Sequence, residues 1–320
     1  MLKGRLGLET ARIPHADRHG CLWLGRGSIS VDGGTLRFET AGSADLPPGT
    51  YGIPFQTVSV IFLEPGGSIS HDALRLLARH GTGLVVIGEG GVRHYASMPF
   101  GQDASALARQ QVRLWSDPEQ RLHVARRMYG WRLGEVLPAS DIAVLRGIEG
   151  ARVKTLYRAL AQQFGLRWAG RRYDRDDPEA TDKVNQALNH SSAAVRAAAM
   201  TAVAATSTIP QLGFVHEDSA HAFCLDIADL FRESVCVVAA FRAVKEAEDH
   251  PEQTLERHAR RSAARALRDD QVIPKMIDRI KALFEDTAAT QGTVRSSSAS
   301  TTSAGAPNRV PADGDGQEAG

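Results

Sequence analysis

Ser28-Ile-Ser-Val-Asp-Gly-Gly-Thr-Leu-Arg-Phe38 sets two β-favouring runs on either side of Asp32-Gly33-Gly34. Glycine tolerates the positive φ of a tight turn, so the stretch reads as a β-hairpin. Outward from it, Leu22-Trp-Leu24, Val58-Ser-Val-Ile-Phe-Leu63 and Leu84-Val-Val-Ile87 are further short β-favouring runs, punctuated by Gly and Pro. One helix interrupts them at about 72–80, where Leu74, Leu77 and Ala78 share a face and Gly81 supplies a left-handed stop. Past Pro99 helical patterns take over. Asp117-Pro118-Glu119 opens one, and Ser140 opens another that runs towards Gly165 with Val144, Ile148, Leu156 and Leu160 as its apolar stripe. Asp182 opens a third. Phe223, Ile227, Leu230, Phe231, Val235 and Val238 keep helical spacing, and a last pattern with a break at Pro274 ends near Asp286. Beyond it Ser, Thr, Ala, Gly and Pro leave almost nothing to bury. The fold class expected is α+β, with a small β-rich N-terminal domain (1–97), a larger all-helical domain (98–286) and a disordered tail (287–320).

The 320 residues are 42% hydrophobic and 23% charged, enough for more than one core, which excludes a disordered or fibrous chain. Cys21, Cys224 and Cys236 are odd in number and lack CxxC spacing, so they build neither a disulfide framework nor a four-cysteine zinc site, and a reducing cytoplasmic compartment is expected. No apolar run approaches the roughly 20 residues of a membrane span, and the first residues lack a signal-peptide core, so neither membrane nor secretion is expected. Net charge is only +1, but between Arg121 and Arg175 twelve basic residues face four acidic ones, a local +8 that leaves −7 for the remainder. Such a segment is either a set of solvated helix faces or a track for a polyanion.

Several catalytic motifs fail on spacing. His216 and His221 are five apart, whereas two ligands on one helical face need a spacing of four. A GxxxxGK[ST] phosphate loop and a GxSxG elbow are absent, and Gly81-Thr-Gly83 precedes a strand instead of following one. One constellation survives. Asp226 and Asp229 are three apart, so on a helix their Cβ atoms lie roughly 5–6 Å from each other, beside apolar Leu225, Ile227, Leu230 and Phe231. Two such carboxylates repel unless a cation or proton lies between them, and His216 could complete a ligand set. The other reading makes them acids of a helix's first turn, favoured by its dipole, and His216 a surface histidine. Glu149 lies between Gly147 and Gly150, which interrupt a helix and suggest close approach of another backbone or ligand. Alternatively it pairs with Arg146 or Arg152.

Leu145-Arg-Gly-Ile-Glu-Gly-Ala-Arg152, Gly170-Arg-Arg-Tyr-Asp174, Asn185-Gln-Ala-Leu188, Gly213-Phe-Val-His216 and Asp226-Ile-Ala-Asp229 resemble the spacer-acquisition integrase of CRISPR systems, CRISPR-associated protein one. Leu63-Glu-Pro-Gly66, Ser70-His71 and Gly88-Glu-Gly-Gly-Val-Arg-His-Tyr-Ala96 look like its type I-E branch. The resemblance covers about residues 2 to 285. It implies that the helical domain is catalytic, with Glu149, His216 and Asp226 as ligands of Mg²⁺ or Mn²⁺ and Asp229 as a second acid that catalysis needs. A carboxylate and imidazole set suits those ions, and Cys224 is left as a small core residue.

The resemblance further implies a homodimer that flanks a small partner, CRISPR-associated protein two. The complex would hold a short protospacer duplex, whose 3′-hydroxyls attack phosphodiesters of the CRISPR repeat. Arg75 and Arg93 match basic positions that face DNA in the family. Arg146, Arg171, Arg172 and Tyr173 belong to matched motifs near the catalytic segment, and Arg232 lies one turn beyond Asp229. Where relatives often carry an aromatic that caps the duplex end, Leu24 stands here with Trp23 beside it. Glu217-Asp218-Ser219 is more acidic than a loop beside DNA is expected to be. Alternatives are a stand-alone metal-dependent nuclease acting on branched DNA with the same residues, and a non-catalytic DNA-binding scaffold.

Overall fold

Gly33 and Gly34 both have positive φ, 57° and 79°, and Asp32 pairs with Thr35 across them. The hairpin therefore forms where two adjacent glycines permit it. A computed structural model describes residues 20–43, 46–97, 105–134, 141–171 and 182–297, the last with backbone alone from 285. Its β-rich part contains β1 (Cys21–Leu24), β2 (Gly27–Asp32), β3 (Thr35–Thr40), β4 (Gly49–Ile53), β5 (Val60–Leu63), β6 (Gly67–Ile69), α1 (His71–His80), β7 (Gly83–Ile87) and β8 (His94–Ser97). Strands β4, β6 and β8 escape a reading by apolar runs because they are short and rich in Gly, Ser and Tyr.

These strands make two sheets, in the orders β1-β5-β7-β8 and β4-β3-β2-β6. In the first, β1, β5 and β7 are parallel and β8 returns antiparallel. Period-two alternation makes β5 a wall between two cores. Ile61 and Leu63 face Ile29, Leu36, Phe38 and Leu77 of the second sheet and α1. Val60 and Phe62 face the other way, into a core built mainly by helices. Helix α1 carries the expected cap chemistry, with Ser70 Oγ accepting from the Ala73 N–H and Gly81 closing it in the left-handed conformation.

The helical part comprises α2 (Ser105–Ser116), α3 (Pro118–Leu133), α4 (Ile142–Gln163), α5 (Lys183–Ala205), α6 (Ala222–Asp229), α7 (Val238–Asp249), α8 (Leu255–Asp269) and α9 (Val272–Ser297), with a π-helical segment at Arg232–Val237. The architecture is thus the α+β arrangement expected from the sequence. Asp117 and Asp182 cap α3 and α5 as expected. The long α5 buries Ala187, Ala194, Ala198, Ala199 and Ala202, small side chains that let α6, α7 and α8 pack closely around it. No helix among the described residues is long and apolar enough to cross a membrane.

Four expectations need correction. Asp141, not Ser140, caps α4 through the Val144 N–H; Ser140 lies outside the described residues. On α4 the buried positions are Leu145, Tyr157 and Ala161; of the expected stripe Ile148 and Leu160 pack half-buried against the cores, whereas Val144 and Leu156 are exposed, because this helix is covered on one narrow side only. Pro274 does not break a helix: it sits in the first turn of α9, where its missing N–H has no intrahelical partner to lose. The break falls instead at Asp270 and Gln271, the latter at φ 50°. Finally, α9 stays helical to Ser297, into the expected tail, because Ala288, Ala289 and Gln291 suit a helix. Residues from 298 lie outside the described ones. Described residues up to Phe284 form one unit and those from Glu285 a second, so the change at residue 97 is one of secondary structure within a shared core.

Phe62 is fully buried on the helix-facing side of β5, edge-on to Trp23 at 4.8 Å. Phe62→Ala is expected to lower the unfolding free energy by about 3–5 kcal/mol in a urea titration. A loss below about 1 kcal/mol would contradict the two-cored wall.

Candidate active site

The approach to α6 is fastened largely by side chains. Buried Gln111 of α2 donates to the carbonyls of Ile209 and Leu212 and accepts the Ile209 N–H. Trp115 Nε1 donates to the Gly213 carbonyl (2.9 Å), Arg121 Nε to that of Phe214 (3.2 Å), and Arg146 to that of Val215. The amides belong to Asp226. Its Oδ2 accepts the N–H groups of Phe214 (2.6 Å) and Val215 (3.1 Å), and its Oδ1 accepts that of His216 (2.9 Å) and lies 2.7 Å from His216 Nδ1. Only glycine fits at 213, since a Cβ would come within 2.5 Å of the His216 carbonyl oxygen.

Asp226 is thus engaged within the fold, where a metal ligand was expected. Its side chain is fully buried, and the four acceptor sites of a carboxylate are all in use. What it does is fix His216. Nδ1 can only donate to Oδ1, so in the neutral ring the lone pair is on Nε2, 3.8 Å from Asp229 Oδ2. Burial pulls the His216 pKa down, but the hydrogen bond and charge of Asp226, with the charge of Asp229, outweigh it and hold it above the usual histidine value. The first-turn reading of the two acids also fails: Asp226 lies mid-helix and Asp229 ends α6, where the dipole disfavours a carboxylate. Asp229 is stabilised instead by Arg232 Nη1 at 3.1 Å.

Glu149 reaches the same place from α4. Its Oε1 lies 2.7 Å from Arg132 Nη1 and its Oε2 accepts from Tyr129 OH at 3.1 Å. The side chain of Arg132, from α3, is only 3% exposed, and its Nη1 also stands 3.7 Å from Asp229 Oδ2. Its other edge binds Glu233 of the π-helical segment, Nη2 at 2.6 Å and Nε at 3.1 and 3.2 Å. Burial lowers the Arg132 pKa, but Glu233, Asp229 and Glu149 together raise it further above its ordinary value. Tyr129, desolvated and facing Glu149, is likewise raised. A cavity lined by Met128, Tyr129, Arg132, Val215, His216, Asp226, Asp229 and Leu230 opens between these groups.

The donor chemistry suits a hard divalent ion: two carboxylates and an imidazole, with the Cys224 thiol pushed up to about 12 by burial and so unavailable as thiolate. Among the described residues, however, no three His, Cys, Asp or Glu side chains stand so that they could jointly hold a metal ion. Both oxygens of Glu149 are turned to Arg132 and Tyr129. Of the close approach expected at the glycines flanking Glu149, no backbone from the described part of the chain supplies it: a Cβ on Gly147 or Gly150 would meet nothing there within 4 Å.

The expected DNA contacts divide. Arg75 is exposed on α1 and pairs with Asp72. Arg146 ties α4 to Val215, and Arg171 donates to Asn185 and Asn189 of α5, so both brace the fold. Arg232 donates to Tyr157 OH and pairs with Asp229. Arg172 and Tyr173 lie outside the described residues. Arg93 lines a groove of about 770 Å³ with Tyr95, Arg257, Arg260, Arg261, Arg265 and Arg268. Sequence reasoning missed this α8 ladder, although its spacing of three and four was visible; the basic segment counted from Arg121 to Arg175 stops short of it. Glu217 pairs with Arg121, which explains its acidity beside a basic neighbourhood. Leu24 is buried in the core and Trp23 packs on Phe62.

The family model described as "CRISPR associated protein Cas1" matches residues 23–135 and 131–270. The chain is 37% identical over 279 residues to a CRISPR-associated endonuclease Cas1 of Escherichia coli K12, covering 87% of each, and 36% identical over 273 residues to one of Geobacter sulfurreducens, covering 84% of this chain and 85% of the relative. A crystal structure of a TtCas1–DNA complex superposes with a TM-score of 0.74 at 32% identity, over 84% of this chain and 97% of that one. A casposase bound to integration product shares the fold alone, with a TM-score of 0.63 at 14% identity over 84% and 96%.

Asp226→Asn should unlock the approach to α6. We expect a stability loss of about 3–5 kcal/mol, as for breaking a buried charge network, and faster amide exchange at Phe214, Val215 and His216. Asp229→Asn should leave those amides protected; equal exchange in both variants would reject the division of roles.

Proposed function

The chain belongs to the Cas1 family, in its type I-E branch, and from that premise we propose that it is a CRISPR adaptation integrase, a divalent-metal-dependent enzyme that joins 3′-hydroxyl ends of short protospacer DNA to the CRISPR repeat. Its relatives' description as endonucleases, and the DNA complex of one of them, support DNA as the substrate. The observation that carries the reading is the opposition of His216 Nε2 and Asp229 Oδ2, 3.8 Å apart, on an anchored segment beside Glu149. Glu149, His216 through Nε2, and Asp229 would hold Mg²⁺ or Mn²⁺. When bound, such an ion orients the attacking hydroxyl, lowers its pKa and offsets charge on the phosphoryl oxygens.

The remaining work belongs to the chain. Asp226 keeps the imidazole in one tautomer and one direction. The open flank beside Gly147 and Gly150 admits a nucleic-acid backbone close to Glu149. Arg93 and the α8 arginines form a positive groove for phosphates, which fixes position without reading sequence. Assembly as a homodimer with the small CRISPR-associated protein two, in the cytoplasm, belongs to the same proposal.

The test is incubation with Mg²⁺, a labelled duplex and a supercoiled plasmid carrying a repeat, with and without the small partner. Label should join the plasmid only with 3′-hydroxyl ends and the partner. Cleavage indifferent to both would favour the stand-alone nuclease. Asp229→Asn should cut joining by more than about a hundredfold, beyond what loss of an orienting group costs, with duplex affinity retained.

Phosphate binding in the groove is read from salt dependence. Replacing Arg257 and Arg268 by Ala should reduce the slope of log K against log salt by about 0.9 for each phosphate that is no longer neutralised. An unchanged slope would remove α8 from the DNA track.

A further inference from the structure

One guanidinium edge is committed and the other is shared. Arg132 Nε and Nη2 are held by Glu233, while Nη1 alone reaches Glu149 Oε1 at 2.7 Å and Asp229 Oδ2 at 3.7 Å. Nη1 thus lies between the two carboxylates on which the metal reading depends. We propose that Arg132 is a resident counter-cation of the active site, which competes with the divalent ion for Glu149 and Asp229 and is retained by Glu233 when it yields them.

The charge arrangement favours this role over simple bracing. Glu149, Asp229 and Glu233 converge on one nearly unexposed guanidinium, and Asp226 lies behind His216, so the site carries more negative than positive charge at close range. Arg232 offsets part of it, through Asp229 Oδ1, and Arg146 faces the Val215 carbonyl. Without Arg132, Glu149 and Asp229 would repel with no cation between them. With a dication on the same oxygens, Nη1 becomes a like charge at a few ångströms, an interaction only weakly screened in a buried site. Glu233 resolves the conflict because its two-point grip does not involve Nη1. The π-helical segment supplies it: Cys236 N–H bonds to the Phe231 carbonyl five residues back, and this widened turn carries Glu233 on the side of Arg132.

The inference rests on the metal reading above, so the experiment separates the two. Mn²⁺ binding to the full chain without DNA is measured by calorimetry for wild type, Asp229→Asn, Arg132→Gln and Arg132→Lys, with thermal melts of each. Lysine keeps a charge for Glu233 but lacks a second nitrogen for Glu149, so it decides the matter if the glutamine variant does not fold. Both Arg132 variants are expected to bind Mn²⁺ about tenfold more tightly than wild type and to melt at lower temperature without metal. A merely structural arginine would give equal or weaker binding, and that result in a folded variant overturns the proposal while leaving the metal reading intact, provided that Asp229→Asn abolishes binding. Absence of Mn²⁺ binding in wild type and every variant would overturn both.

Discussion

A single buried carboxylate orders the candidate active site. Asp226 carries a negative charge in the protein interior, a condition tolerable only when every acceptor site is filled by a well-placed donor. Three consecutive backbone N–H groups and one imidazole N–H fill them. The reverse dependence holds too: an extended segment buried away from any sheet needs partners for its own amides, and Asp226 supplies them. The carbonyls on the other edge are satisfied by Trp115, Arg121 and Arg146. His216 therefore takes its orientation from elements that come together only in the folded chain.

Arginine is the recurrent means of these ties, and this changes the meaning of the charge count. A net +8 between Arg121 and Arg175 suggests a surface track for phosphate. In the structure Arg121 and Arg146 bind backbone carbonyls, Arg132 is sunk among three carboxylates, and Arg171 clasps two asparagines. A guanidinium suits such positions, since its fork of donors can satisfy several acceptors at once without losing charge. Arg152, Lys154, Arg158 and Arg167 of the same segment stay exposed, and a further positive groove lies on α8 and at Arg93.

Legibility in the sequence followed the range of the forces concerned. The hairpin was readable because Gly33 and Gly34 act locally, and the starts of α3 and α5 because an aspartate caps the residues that follow it. Asp226 and Asp229 could be recognised as a chemically meaningful pair, yet their spacing does not rank them. Helical spacing says that they share a face, but amides ten to twelve residues upstream decide which of them has lone pairs to spare. Arg132 and Glu233 were invisible for the same reason, being separated by about a hundred residues and joined by a π-helical turn that no simple periodicity announces. The α4 stripe failed where burial was partial, for a pattern of fours does not tell which side a half-exposed helix covers.

The site joins a stiff side to a softer one. His216 and Asp229 are set by α6, whose Phe223, Cys224 and Ile227 belong to the main helical core backed by β5 and β7. Glu149 comes from α4, which is buried at few positions and packs through two smaller clusters, one with Ala125, Tyr129 and Val215 and the other around Tyr157 and Phe241. Local opening draws on the parts with the least buried apolar surface. An adjustment that separates Glu149 from Arg132 and Tyr129 is therefore least costly in α4, whose glycine-lined flank meets nothing in the described part of the chain. The anchored histidine provides a fixed reference, and Glu149 stands on the less buried of the two elements.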